Sequence, residues 1–269
     1  MTYNSIENKP CYFPPLLSNG NISFAVDAEG MIGYSSDDYK SKGITAFDGI
    51  VIRYARRTAL CNTLQARLFP LGKFTFCEGS NIENWSQTLE TEKGYFESNC
   101  TYERGTQIYS KGFIHPDVNI YALRKTFKKI TGNKSFAYDI KLCGYDDKIS
   151  KYMNILYVKQ HENVCCIGFK MYGMDVFSGE IHFFVDKEFT MMPVENGARI
   201  VFEASEGEDV TFYYYLEDDM DNTDFAEVLK NYKRRIDASG FVGLLKECTE
   251  HFEAFSKLGY VKTSDKDLN

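Results

Sequence analysis

The chain has 269 residues, a formal net charge of −7 and 15% aromatic residues, with 21 Phe and 19 Tyr against a single Trp. That length can bury a large core as one all-β domain or as two smaller domains, and the aromatic load suits a wide, thick sheet interior. The negative charge argues against a nucleic-acid partner, and no stretch reaches the roughly twenty apolar residues of a membrane helix.

The opening "MTYNSIENKPCYFPPLLSNG" lacks a basic segment followed by an apolar run, so no signal peptide is read there. In "LLSNGNISFAVDAEGMIGY" the alternation of Ile22, Phe24 and Val26 predicts a strand, and residues 27–30 a hairpin turn. Strands are then predicted over 49–54, 72–77 and 94–102. The basic patch Arg53 to Arg57 is read as a solvated strand end.

The next stretch, "GFIHPDVNIYALRKTF", holds His115, one of four histidines, directly before Pro116 and Asp117. The tripeptide matches the loop signature of J-domain co-chaperones, where it joins two helices. Here both flanks alternate at period two. Gln107, Tyr109, Lys111 and Phe113 share one face before it, and Tyr121, Leu123, Lys125 and Phe127 share one after it. Both flanks are therefore strands, 106–114 and 120–127, and the tripeptide is the corner between them.

Further strands are predicted over 135–142, 154–160, 164–172, 179–185, 198–204 and 209–216. Turns are placed at Gly132-Asn133, Asp146-Asp147, Glu162-Asn163 and Asn196-Gly197. Many strands with short connections and no interleaved helices indicate an antiparallel sandwich, too large for an immunoglobulin-like module of about seven strands.

The character changes at Asn222. Phe225, Val228, Leu229, Tyr232 and Ile236 form one helical stripe, and Phe241, Leu244, Leu245, Cys248, Phe252 and Phe255 a second. Asn222 or Thr223 is the expected cap of the first helix and Gly240 its end. Ser264 or Asp265 offers a further cap with little chain behind it, so the reading expects more helix in a parent protein.

Eight cysteines without a CxxC pair do not suggest zinc, and a reduced cytoplasmic protein is the plain expectation. Cys165 and Cys166 should face opposite sides of a strand. The acidic run "LEDDMDNTD", Leu216 to Asp224, fails the EF-hand pattern because Asp224 stands where Gly is needed and Lys230 where a carboxylate is needed. It is read as a solvated loop. His115, His161 and His182 are candidates by type for acid–base work on a sugar ring, and His251 is read as a solvated-face residue. Trp85 is read first as packing, and as the candidate for contact with carbohydrate or a neighbouring domain. No nucleotide loop, HExxH or Gly-x-Ser-x-Gly occurs.

Three stretches carry a resemblance: "LLSNGNISFAVDAEG", "WSQTLETEKGYFESNCTYERGTQIYSKGFIHPDVNIYALRKTF" and "HFEAFSKLGYVKTSDKDLN". In this order they resemble the amino-terminal part of inverting glycoside hydrolases and phosphorylases with an (α/α)6 catalytic barrel, the maltose-phosphorylase-like branch above all. Where the family has tryptophans in the linker, this chain has Phe252 and Phe255. The resemblance implies a mainly β, two-sheet antiparallel supersandwich of the galactose-mutarotase kind over residues 1–221, with linker helices over 222–269. It places the catalytic carboxylates in a barrel outside this chain, so it assigns no catalytic residue, metal ligand or cofactor here. The implied partner is the parent enzyme's own barrel, with a homodimer contact and carbohydrate as further partners. Two other readings stand beside it: a free-standing carbohydrate-binding module and a mutarotase-like epimerase.

Overall fold

A computed structural model describes residues 2–4, 15–30, 50–52, 69–70, 72–142, 153–172, 176–195, 197–220 and 224–258. The basic patch 53–57, the turn at 146–147, Cys11, Cys61, Cys143 and the caps expected at 222, 223, 264 and 265 lie outside these residues. No described helix is long and apolar enough to cross a membrane.

One layer is a nine-stranded antiparallel sheet. It contains β1 (Thr2–Asn4), β7 (Ile82–Glu90), β8 (Tyr95–Tyr102), β9 (Gln107–Ile114) and β10 (Ile120–Lys129), then β17 (Asp209–Asp218), β14 (Val176–Val185), β13 (Val164–Tyr172) and β12 (Met153–His161), in that spatial order. The opposing layer is split into two four-stranded sheets. One runs β15 (Thr190–Val194), β16 (Gly197–Glu203), β11 (Ser135–Leu142), β6 (Gly72–Cys77). The other runs β2 (Leu16–Ser18), β3 (Ile22–Ala25), β4 (Ile50–Ile52), β5 (Phe69–Pro70). Among the described residues one helical element, α1 (Phe225–Ser256), follows β17.

The strands on either side of His115-Pro116-Asp117 form where the alternation places them. Tyr121 stands opposite Ile114 and Leu123 opposite Gly112, and the corner closes with His115 N–H donating to Ile120 O at 2.9 Å. Period-two alternation does not mark β7 and β15, whose half-exposed residues give no clean apolar pattern. Between the layers the core stacks aromatic on aromatic: the Phe127 and Phe136 rings are 4.6 Å apart, Tyr138 and Phe212 4.9 Å. Such pairs join β10 and β17 to β11 across the interior.

The turn Asp27-Ala28-Glu29-Gly30 does not sit outside as a hairpin tip. It enters the interior, and four successive carbonyl oxygens each accept a bond from a side chain of the large sheet. Gln87 Nε2 donates to Asp27 O at 2.7 Å, Cys100 Sγ to Ala28 O at 3.2 Å, Lys125 Nζ to Glu29 O at 2.5 Å and Tyr121 OH to Gly30 O at 2.6 Å. A Cβ on Gly30 would stand 2.8 Å from both Leu123 and Phe96, so only glycine lets the backbone approach this closely. Lys125 is fully buried; its ammonium also donates to Ser110 Oγ at 3.1 Å and lies 4.5 Å from the centre of the Phe76 ring on β6. Burial lowers the Lys125 pKa and raises that of the Glu29 carboxyl, each shift opposed by the other's charge.

Gly30 is buried and its carbonyl oxygen accepts the Tyr121 hydroxyl, so Tyr121→Phe strands that acceptor and should destabilise the protein by about 1–3 kcal/mol. Urea unfolding of the two proteins measures this; equal midpoints would show that the turn does not depend on the bond.

Candidate functional site

Over the central strands β9, β10 and β17 the outer face of the large sheet is covered by the helix. Phe113 of β9, Ile120 and Ala122 of β10, and Tyr213 and Tyr215 of β17 point away from the sandwich core into a second apolar cluster. Against them α1 sets Leu229, Ile236, Phe241, Leu244 and Cys248. Each large apolar side chain so buried stabilises by roughly 1.5–3 kcal/mol, which a helix of this length needs because propensity alone is weak. The first predicted stripe and the second as far as Phe252 face the sheet, on either side of a break at Gly240, where φ is 58° and ψ −174°, whereas Phe255 is exposed. The amino-terminal cap is Asp224, whose carboxylate accepts from Glu227 N–H at 3.3 Å.

His115 is 0% exposed and joins this face to the helix. Its Nδ1 accepts the Asp117 backbone N–H at 3.1 Å, so the ring proton sits on Nε2, which donates to Glu247 Oε2 at 3.1 Å. Arg235 donates to the same carboxylate oxygen. Arg235 precedes the break at Gly240 and Glu247 follows it, so one carboxylate ties both arms of α1 to the strand corner. Burial, helped by the Arg235 charge, holds the His115 pKa below its usual 6.5 against the pull of Glu247. Burial pushes the Glu247 carboxyl up, but Arg235 and His115 together outweigh it and leave the net shift downward. A neutral imidazole beside an Arg–Glu ion pair is the consistent assignment. From the other side of the corner, Asn19 Nδ2 donates to His115 O at 3.1 Å and to Val118 O at 3.0 Å.

The acidic run after β17 is in part a buried strand end rather than a solvated loop. Leu216, Glu217 and Asp218 are buried within β17. Glu217 points to the helix side, where its Oε2 accepts from Tyr232 OH at 3.0 Å and from Asn119 Nδ2 at 3.3 Å. Its register with Tyr213 and Tyr215 could have shown this, since all three lie on one face of the strand.

The other candidates scatter. His182 on β14 reaches Glu180 Oε2 at 2.6 Å, and Tyr157 OH donates to the second oxygen of that carboxylate. The Tyr157 ring crosses over Gly168, where a Cβ would come within 2.4 Å of it. The His182 bond is the largest cause holding the Glu180 pKa below its usual value. This cross-strand group lies on the outer face beside α1, with the His182 ring 5.1 Å from Tyr215. His161 is exposed at the end of β12, and His251 is exposed on α1. Trp85 on β7 is half-buried and packs against the sandwich core. Cys165 faces the core and Cys166, absent from that cluster, lies beside Glu180; both are free thiols. No group of three His, Cys, Asp or Glu among the described residues is placed to hold a metal ion.

Arg235 and Glu247 had no signal in the sequence. Their meeting depends on the angle at Gly240, which periodicity does not give.

No protein-family model matches the sequence, and no curated protein matches it. Among solved structures, one described as "Putative kojibiose phosphorylase from human microbiome" aligns with a TM-score of 0.64 at 12% identity, over 90% of this chain and 35% of that chain. The chain thus spans 35% of the length of that neighbour. The likeness shows a shared fold: mainly antiparallel β-sheet with a helical element at its carboxy-terminal side.

The His115 assignment fixes the sign of a pH effect. A histidine whose folded pKa is lowered contributes stability that is full above the unfolded pKa, near 6.5, and lost as pH falls through the folded value. The groups facing His115 are Glu247, Arg235 and Asp117. The unfolding free energy should therefore drop between pH 7.5 and pH 5.5, and the drop should shrink in His115→Asn. An undiminished drop in the variant would place the titrating group elsewhere.

Proposed function

We propose that this chain is the noncatalytic amino-terminal domain of a carbohydrate-active enzyme, a glycoside hydrolase or glycoside phosphorylase, and that it braces that enzyme's catalytic barrel. The observation that carries the reading is the match itself. The sandwich and its helical element align over 90% of this chain with a protein described as a phosphorylase, yet take up 35% of that protein's length. The latch gives bracing a physical basis, since α1 is fixed to the sheet by Arg235, Glu247 and His115. Val242 and Phe255 on α1 and Leu258 just after it stay exposed, at 67%, 66% and 86%. Exposed apolar side chains next to a rigid base suit contact with a following domain or a second copy of the chain. Phe252, from the same predicted stripe, packs over Gly94 instead. In this reading Trp85 is the residue proposed to contact carbohydrate or the adjoining domain, and the protein works in a reducing cytoplasm.

The Glu180–His182 pair is the specific observation behind the epimerase reading, because proton transfer at a sugar ring needs a carboxylate and an imidazole together. Both Glu180 oxygens are already engaged, one by His182 and one by Tyr157. The pair is thereby explained as a tie between β12 and β14, and the domain reading is preferred.

The purified 269-residue chain should release neither glucose nor glucose 1-phosphate from maltose or kojibiose, with or without inorganic phosphate. It should also leave the mutarotation of glucose at the buffer rate in a polarimeter. Disaccharide turnover abolished by a single carboxylate substitution within the chain would overturn the noncatalytic reading, and mutarotation abolished by His182→Ala would establish the epimerase.

A further inference from the structure

At one end of the sandwich the loop from β6 to β7 and the turn from β8 to β9 stand side by side. Glu103 N–H donates to Asn81 O at 3.0 Å, and Asn81 Nδ2 lies 3.3 Å from both Glu103 carboxylate oxygens. Between these loops and the buried turn at Glu29, the described residues enclose an open cleft of about 550 Å3. Its lining includes Glu29, Phe76, Glu78, Asn81, Tyr102 and Arg104. No activity discussed so far uses it.

We propose that this cleft is a sugar-binding site, in which Glu29, Glu78, Asn81 and Arg104 exchange hydrogen bonds with the hydroxyl groups of one or two sugar residues. The choice of carbohydrate rests on the domain reading above; the choice of a neutral, hydroxyl-rich ligand rests on the lining alone. Glu78 is 9% exposed although it sits on a surface loop, and Ser80 Oγ donates to its Oε2 at 2.5 Å, so its carboxylate is held in one place. Glu29 is tethered likewise, with Tyr102 OH donating to its Oε1. Burial raises the Glu29 pKa, opposed by the Lys125 charge behind it and by the Tyr102 hydrogen bond. An anion would meet Glu29, Glu78 and Glu103 together. A divalent cation would want three ionised ligands, and no such group is placed among the described residues. Sugar hydroxyls donate and accept at once, which suits the carboxyl, amide and guanidinium groups of this lining. The volume falls within the ~300–1,000 Å3 typical of small-molecule sites.

The position adds a reason. Behind Glu29 stands the buried Lys125, so the acidic side of the cleft is fixed to the centre of the fold rather than to a mobile loop. A site whose acceptors are held before the ligand arrives loses less on binding.

Saturation-transfer NMR on the 269-residue chain with glucose and with maltose tests this, alongside amide shifts in labelled protein. The expected result is transfer to sugar protons, with shifts centred on residues 78–82 and 102–104. Affinity should weaken about tenfold or more in Glu78→Ala and in Arg104→Ala, each the loss of a charged hydrogen bond. Should Glu78→Ala fail to fold by circular dichroism, Arg104→Ala, on the exposed rim, decides alone. No transfer from either sugar up to about 50 mM, a concentration that would reveal even very weak binding, would overturn the proposal. Binding that both folded variants leave unchanged would also overturn it, leaving the domain reading standing. Turnover of maltose in the same tube would instead contradict the noncatalytic reading without touching the assignment of the cleft.

Discussion

A backbone turn buried in an apolar interior must find a partner for every carbonyl, and the sandwich is arranged around that requirement. The four carbonyl oxygens of residues 27–30 are met by side chains from three strands, Gln87 of β7, Cys100 of β8, and both Lys125 and Tyr121 of β10. One of these is a lysine, the costliest residue to bury and one that stays only when charge and hydrogen bonds compensate. The arrangement locks the first short sheet onto the large one at the centre, where apolar packing alone would permit sliding. It also sets Glu29 at the floor of the cleft, so the same constraint that fixes the fold orients the proposed ligand-binding groups.

The second constraint is that β10 and β17 are covered on both faces. The run "VTFYYYLED" in β17 is buried almost throughout because Phe212, Tyr214 and Leu216 face the sandwich core while Tyr213 and Tyr215 face α1. A sheet that apolar on its outer side would be an association hazard if left bare. The helix closes it, and the Arg235–Glu247–His115 latch holds the two arms of the helix at the angle the break at Gly240 permits. His115-Pro116-Asp117 is thus a corner between strands, as the flanking alternation indicates. Its histidine is nevertheless wired to the helix, a role for which the tripeptide itself carries no signal.

Much of the fold was legible because period-two alternation is a local property. The strands bordering the corner at 115–119 and those at 135–142 and 164–172 fall where it places them. Lys125 shares a face with Tyr121, Leu123 and Phe127, all of which are core, although alternation by itself does not mark a lysine as buried. What could not be read are meetings between residues far apart in the chain. Glu29 looks like an ordinary hairpin-tip residue, since Asp-Ala-Glu-Gly has the composition of an exposed turn. Glu217 looks solvated because acids follow it, while its partners Asn119 and Tyr232 come from other elements. The walls of the cleft come from three separated segments, which no spacing rule links.

These observations pack α1 against the large sheet rather than leaving it a loose tether, and that is the claim on which the proposed bracing role depends. Native-state amide hydrogen exchange on the 269-residue chain measures it directly. The account predicts that backbone amides of residues 229–248 exchange as slowly as those of β10 and β17, in one cooperative unit. Exchange of those helix amides at rates close to those of an unstructured peptide, while β10 and β17 stay protected, would contradict it.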